Sequence, residues 1–191
     1  MTLLQVMSDN DADEVQLRTA DATTIRDELA TRGIAFERTT VATDLDVNQP
    51  AERILTRHAD QIAAINADGR YRYIDVAAVL PDHQDPDWRA NAAAARSKFL
   101  AEHRHAEDEV RFFVSGRACF YLHLEPEVCA VVCETGDLLT VPAGTRHWFD
   151  MGSDPDFAAI RFFEREDGWI GDFTGDTIGQ RFPTLDQLAA T

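Results

Sequence analysis

From residue 103 onward, apolar and polar residues alternate in short segments separated by turns that contain Gly or Pro. A side-chain period of two is typical of strands with one buried face. Strands of four to seven residues are therefore predicted at 110–114, 118–124, 128–133, 138–141 and 157–163. Turns are expected at 115–117 and 125–127. Short strands joined by turns favour an antiparallel sandwich or barrel.

The first hundred residues have a mixed pattern in which helical spacing dominates. Strands are predicted at 3–7, 34–38 and 71–80, and an acidic loop follows the first of them. Helices are predicted at 21–32, from Pro50 to Gly69, and at 87–100. The chain is therefore expected to be mainly β with flanking α-helices, in one domain spanning 1–191. Its tail, 164–191, is expected to pack on the barrel through Trp169, Phe173 and Phe182.

A cluster of metal-ligand residue types lies where the last of these helices gives way to strands. His103, His105 and Glu109 form the pattern H-x-H-x3-E, and His147 follows much later. In an extended chain the first three side chains share one face, and Arg111 has the same parity. Imidazole suits Fe, Ni, Cu and Zn, and carboxylate suits harder metals. This set predicts a divalent metal with open coordination positions, which indicates chemistry rather than a closed structural site.

The competing interpretation is that these are surface histidines on an acidic loop. The other three histidines receive no metal role. His58 lies on an apolar helical stripe and is expected to pack there, and His83 is expected to be solvated in a loop. His123 alternates with Cys119 and Tyr121, so it is expected in the core or at an edge.

The frame around the metal-ligand residues favours the metal site. Glu109 is followed by six residues and Gly116, and the later segment has the form G-x5-P-x-G-x2-H ending at His147. This resembles the two-motif signature of the cupins, and the resemblance implies a double-stranded β-helix, or jelly-roll, barrel. Ser97 stands where the first motif has Gly, and Met151 stands where the second has Asn. Neither position is a ligand, so a divergent cupin branch is expected.

Composition narrows the class of partner. The chain has 191 residues, with 34 acidic and 18 basic residues and a formal net charge of −16. Such a chain is repelled by phosphate backbones and anionic lipids, so neither nucleic acid nor a membrane is an expected partner. The three cysteines form no C-x-x-C and are expected to be small buried thiols in a reducing compartment. Without a basic leader or a long apolar run, the chain is expected in the cytoplasm.

A closer resemblance covers most of the chain. The segments 98–114 (K-F-L-A-E-H-R-H-A-E-D-E-V-R-F-F-V), 141–153 (V-P-A-G-T-R-H-W-F-D-M-G-S), 159–163 and 168–176 resemble the acireductone dioxygenases of methionine salvage. The resemblance implies one Fe(II) or Ni(II) held by His103, His105, Glu109 and His147. It also implies a monomer whose substrates are acireductone and O2. Met151 fits this family's H-W-F-D-M-G pattern.

The resemblance also implies residues that contact the substrate. Arg111 is associated with binding the anionic ene-diol and is the candidate catalytic residue, while Phe99 and Phe149 are expected to line the substrate pocket. A nearby cation lowers the pKa of an acid, which gives Arg111 a physical role. If these two residues have no functional role, Arg111 is expected to be a salt-bridge partner and Phe149 an ordinary residue of the hydrophobic core. Two alternatives stay open: another cupin dioxygenase or isomerase, and a non-catalytic metal-binding sensor.

Overall fold

A computed structural model describes residues 1–41, 49–82 and 84–190. The prediction for His83 therefore falls outside the described residues. In chain order the strands are β1 (Leu3–Ser8), β2 (Val15–Thr19), β3 (Ala35–Arg38), β4 (Tyr73–Val79), β5 (His103–Arg104), β6 (Glu109–Leu124), β7 (Glu127–Glu134), β8 (Asp137–Val141), β9 (Arg146–Asp150), β10 (Phe157–Phe163) and β11 (Asp172–Phe173). The helices are α1 (Ala22–Thr31), α2 (Ala51–Arg57), α3 (Ala59–Ile65), α4 (Trp88–Phe99) and α5 (Leu185–Ala190), and Ile178–Arg181 is a 3-10 helix.

The long strand β6 joins the two halves of the sheet. Its C-terminal part belongs to the order β11-β5-β9-β6-β7-β1-β2, and its N-terminal part belongs to β3-β8-β6-β10-β4. All of these pairings are antiparallel. The predicted class, mainly β with flanking helices, is confirmed.

The turn predicted at 115–117 is wrong, because β6 continues through it. Gly116 has φ +63°, and a Cβ added there would lie 1.8 Å from the carbonyl oxygen of Asp156. The register with β10 shifts at Ala158 and Ala159. Glycine therefore permits a bulge and a close backbone approach, which bend the strand from one half of the sheet into the other.

Apolar side chains fill three layers. Between the sheet halves lies a core to which both contribute, including Leu4, Phe113 and Val131. Helices α2 and α3 cover the outer face of the second half, with Ile54 packed on Phe112 and its neighbours. The tail covers the outer face of the first half through buried residues that include Ile178, Phe182, Leu185 and Leu188. Trp169 and Phe173 are half exposed, and Phe173 lies in β11, which pairs with β5 of the barrel.

Two further elements of the N-terminal part differ from expectation. Val15–Thr19 pairs with β1 as an edge strand where an acidic loop was predicted. The helix predicted from Pro50 to Gly69 is interrupted at His58, whose Nδ1 lies 2.8 Å from the carbonyl oxygen of Ile54. A side chain that bonds the preceding turn competes with the helical ladder.

No helix in the described ranges is long and apolar enough to span a bilayer.

Candidate metal centre and adjoining cavity

Three neighbouring strands place the predicted ligands. His103 in β5 is directly opposite His147 in β9, and His147 is paired on its other side with Leu122 of β6. Glu109 opens β6, and His105 lies just beyond β5. Residues 44 positions apart in the sequence therefore become cross-strand neighbours, whose side chains project from one face.

Two hydrogen bonds join the loops that carry the two sequence motifs. The Gly144 amide donates to the His105 carbonyl at 2.9 Å, and the Ala143 amide donates to Asp108 Oδ1 at 2.9 Å. Gly144 has φ +79°, a conformation that glycine adopts at little cost. The P-A-G turn thus fixes the approach of β9 to the β5–β6 loop, and with it the position of His147.

Each imidazole is oriented by a backbone carbonyl. The Nδ1 atoms of His103, His105 and His147 lie 2.8, 3.0 and 2.9 Å from the carbonyl oxygens of Ala101, Ile170 and Thr145, respectively. A donor at Nδ1 fixes the tautomer in which Nε2 carries a free lone pair. Outer contacts of this kind are typical of metal-ligating histidines.

The ligand atoms converge at one point. One candidate ligand atom from each imidazole lies within 4.8 Å of those of the other two, and all three residues are buried. Glu109 Oε2 lies 2.7 Å from His147 Nε2 and 3.7 Å from His105 Nε2. Neither Glu109 Oε2 nor His147 Nε2 has an aligned hydrogen-bond partner among the described residues. Buried polar atoms without partners are costly, so this arrangement fits a divalent metal ion.

Burial keeps two of the imidazoles neutral. Desolvation lowers the pKa of His103 to about 4, with a further contribution from the neighbouring His147. Desolvation also lowers the pKa of His105 and outweighs the opposing effect of Glu109. Neutral imidazole is the form that binds metal, so both residues are ready to act as ligands near neutral pH.

A second electrostatic group consists of Glu109, His147 and Arg111. Burial favours a neutral Glu109, but Arg111 and His147 outweigh it and hold the pKa of this carboxyl well below its usual range. Burial also lowers the pKa of His147, yet Glu109 outweighs that effect and raises it. Glu109 is therefore anionic, and it pairs with Arg111 Nη2 at 2.5 Å.

An apolar cavity of about 300 Å³ opens from the metal centre. His103, His105, Glu109 and Arg111 stand at its polar side. The rest is lined mainly by alanine, valine and aromatic side chains, among them Phe99 and Phe149. These two rings meet edge to face, with centroids 6.5 Å apart. The structure thus brings six of the seven predicted site residues to one cavity, and the seventh, His147, lies beside it with its Nε2 2.7 Å from Glu109 Oε2.

Three other arginines on strands of the sheet, in β5, β9 and β10, have different surroundings from Arg111. Arg104 faces outward and pairs with Asp172, as its parity predicts, and Arg146 pairs with Glu125. Arg161 also lines the cavity, but its guanidinium forms a bidentate pair with Asp75. Of these two cavity-lining arginines, Arg111 is therefore the one that pairs with a candidate metal ligand.

The segment 168–174 reaches the metal centre, although its periodicity gave no sign of this. Besides the Ile170 carbonyl, it places the Phe173 ring 5.3 Å from the His103 ring. A Cβ on Gly171 would lie 3.1 Å from His103 Cδ2. The resemblance of residues 168–176 to a known family was the one sequence signal for this contact.

The remaining described histidines have packing partners. His58 is buried, and its ring meets Phe112 edge on. His123 is buried with its Nδ1 2.6 Å from Glu102 Oε1, and Thr174 Oγ1 donates to Glu102 Oε2 at 2.7 Å. Both packing predictions are confirmed. The pair Glu102–His123 was not anticipated, and it ties the residue preceding His103 to β6.

A β-sheet folded into two facing halves, with three imidazoles and a carboxylate converging inside it, defines a metal-binding cupin. The solved structure of an acireductone dioxygenase from Bacillus anthracis, with a cadmium ion in its active centre, is similar over 91% of this chain and 98% of that one. The TM-score is 0.73 and the identity is 26%. The profile of the ARD/ARD′ family matches residues 3–171.

Proteins of similar sequence point to the same family. The chain is 62% identical over 188 residues to acireductone dioxygenase 2 of Nocardia farcinica, covering 98% of each chain. It is 51% identical over 172 residues to an acireductone dioxygenase of Prochlorococcus marinus, covering 90% of each. The chain belongs to the acireductone dioxygenase family, and it is an oxidoreductase of the metal-dependent dioxygenase class.

Proposed function

We propose that this chain cleaves acireductone, 1,2-dihydroxy-3-keto-5-methylthiopentene, with O2 in methionine salvage. The observation that carries the proposal is the junction of a three-imidazole, one-carboxylate centre with an apolar cavity of about 300 Å³. The substrate has the matching form, with a chelating ene-diol at one end and a methylthio tail at the other.

The proposed ligands are His103, His105, Glu109 and His147, and the proposed metal is Fe(II) or Ni(II). Four protein ligands leave positions open on a metal that prefers six. When bound, the metal supplies these positions to the two ene-diol oxygens and favours their ionised form. All four proposed ligands come from one chain, so a monomer is sufficient for the site. The three buried free thiols agree with the reducing cytoplasm proposed for the protein.

Arg111 is proposed to bind the anionic substrate and hold it ionised. Its guanidinium lies within the cavity wall, 2.5 Å from Glu109 and 5.3 Å from the centroid of the Phe163 ring. A fixed cation in a site of low dielectric stabilises an adjacent anion more strongly than it would in water. Arg111 is therefore able to orient the ene-diolate while it also keeps Glu109 ionised.

Phe99 and Phe149 are proposed to enclose the methylthio tail. Phe149 also packs on Phe120 and Phe157, with ring centroids 4.9 and 5.5 Å away, so its position is fixed from behind. Sulfur beside the edge of an aromatic ring makes a favourable contact. This end of the cavity orients the tail and excludes water.

The proposed products depend on the metal. With Fe(II) they are formate and 2-keto-4-methylthiobutyrate, and with Ni(II) they are 3-methylthiopropanoate, formate and carbon monoxide. The ligand set accepts either ion, so cellular supply decides which one is bound.

The test is anaerobic reconstitution of metal-free protein with Fe(II) or Ni(II), followed by acireductone, O2 and product analysis. We expect the keto acid with iron and carbon monoxide with nickel. His105→Ala should lose both the metal and turnover. The matched control His58→Gln removes a buried imidazole outside the centre and should retain both. Stable metal binding with no O2 consumption in the wild type would favour a sensor, and turnover of a different chelating acid would favour another cupin enzyme.

A further inference from the structure

A buried carboxylate at the end of β9 gathers hydrogen bonds from three segments of the chain. Asp150 has no exposed surface and accepts bonds from Arg96 Nε at 2.7 Å and Arg96 Nη2 at 3.1 Å. It also accepts bonds from the amides of Gly152 at 2.9 Å and Leu185 at 2.8 Å. A bidentate guanidinium–carboxylate pair is strong and fixes geometry as well as distance.

This pair lies directly behind the cavity wall. Phe149 and Met151, which flank Asp150 in the sequence, both line the cavity. Ala95, which precedes Arg96, and Phe99, one helical turn after Ala95, line it from the other side. The pair therefore connects two walls of one cavity, and the contact between the Phe99 and Phe149 rings crosses the gap between them.

Helix α4 also packs on the core through apolar side chains, among them Ala95 and Phe99. Of its residues, Trp88 and Ala92 are buried, and its N-cap residue makes no side-chain cap bond. Arg96 Nη2 also lies 3.7 Å from Asp186 Oδ2. A further ion pair, between Arg89 and Asp154, links the helix to the segment after β9, but its side chains are 70% and 59% exposed. Exposed pairs contribute little to stability. The pair between Arg96 and Asp150 is thus the strongest polar constraint seen on the position of α4 in the described part of the chain.

We propose that Arg96 and Asp150 are positioning residues that set the length of the apolar end of the cavity, and hence the length of substrate tail accepted. By holding α4 against β9, they fix Phe99 opposite Phe149. This inference rests on the proposed function, because it assumes that the tail enters this cavity. An apolar pocket of fixed size discriminates between substrates that differ by one methylene by roughly 10- to 200-fold.

The test compares Arg96→Gln and Arg96→Lys with Arg89→Gln, a matched loss of an ion pair on the same helix. Steady-state kinetics of the iron-loaded enzymes use acireductone and a homologue with one more methylene in its tail. Hydrogen exchange of the α4 amides is measured on the same proteins without substrate. This second readout does not depend on turnover.

In Arg96→Gln we expect faster exchange in α4, a KM for acireductone raised about tenfold, and a smaller change in kcat. The ratio of kcat/KM between the two substrates should fall several-fold towards unity. Arg96→Lys keeps the positive charge but cannot form the bidentate pair with Asp150. Its exchange rates and kinetic constants should therefore lie between those of wild type and Arg96→Gln. Arg89→Gln should match wild type in all measurements. If Arg96→Gln does not fold, Arg96→Lys carries the comparison.

Wild-type exchange in α4 and unchanged tail discrimination in the folded Arg96 variants would overturn the proposal. Equal effects in Arg89→Gln would also overturn it, because they would show a general response to charge loss on the helix. If wild-type protein turns over neither substrate, the proposed function fails. The exchange data then still decide whether Arg96 holds α4 in place.

Discussion

Asp137, the first residue of β8, is fully buried and supplies the sharpest pH prediction. Its Oδ2 accepts hydrogen bonds from Thr2 Oγ1 at 2.6 Å and from the Glu134 amide at 2.8 Å. Its Oδ1 lies 3.7 Å from Arg38 Nε. Desolvation raises its pKa from 3.8 to about 6, although Thr2 and Arg38 act in the opposite direction.

The direction of the pH effect follows from proton binding. Between pH 3.8 and about 6 the folded protein holds a proton on Asp137 that the unfolded chain has released, so stability falls as pH rises through this window. Each pKa unit corresponds to about 1.4 kcal/mol, so the ionised carboxylate costs about 3 kcal/mol above the window. Below pH 3.8 this cost is absent.

Asp137→Asn removes the titration and keeps an oxygen that can accept both bonds to Oδ2. We therefore expect the free energy of unfolding of Asp137→Asn, relative to wild type, to increase by about 2 kcal/mol between about pH 4 and pH 7. Urea unfolding of metal-free protein across this range measures the difference. Subtracting the wild-type free energy of unfolding at each pH removes the pH dependence that the other carboxylates contribute to both proteins.

Asp60→Asn, a change at an exposed position of α3, is the control for the loss of one negative charge. It should show no comparable slope relative to wild type. A difference between Asp137→Asn and wild type that stays constant with pH would refute the reasoning, since a constant offset reports altered packing or hydrogen bonding and not ionisation.

Three further substitutions test the fold and the metal centre. Gly116→Ala places a Cβ against a backbone carbonyl and should lower the free energy of unfolding by about 3 kcal/mol or more, measured by urea unfolding. Glu102→Gln weakens the bond to His123 and should cost about 1–3 kcal/mol in the same assay. Gly171→Ala crowds the His103 ring and should weaken Ni(II) binding roughly tenfold in a competition titration with a chelator.

Strands and helices with strong periodicity were predictable, because local alternation and capping act over a few residues. Asp21 caps α1 through its Oδ1, and the structure has the helix at Ala22–Thr31 against a prediction of 21–32. The errors arose where a non-local contact prevailed. Gly116 is typical of a turn, and a turn was predicted there. In the structure the backbone of Asp156 approaches Gly116 closely, and Gly116 forms a bulge within β6.

The amino-acid sequence by itself determined the metal-ligand residue types, their spacing and the strand parity that puts His103, His105 and Glu109 on one face. These depend on the two-residue period of an extended chain and on the chemistry of imidazole and carboxylate. Only the tertiary structure decided that His147 lies opposite His103, that the Ile170 carbonyl orients His105, and that Arg96 reaches Asp150. Each of these contacts joins residues tens of positions apart, and strand pairing and burial select them with no signal in the local pattern.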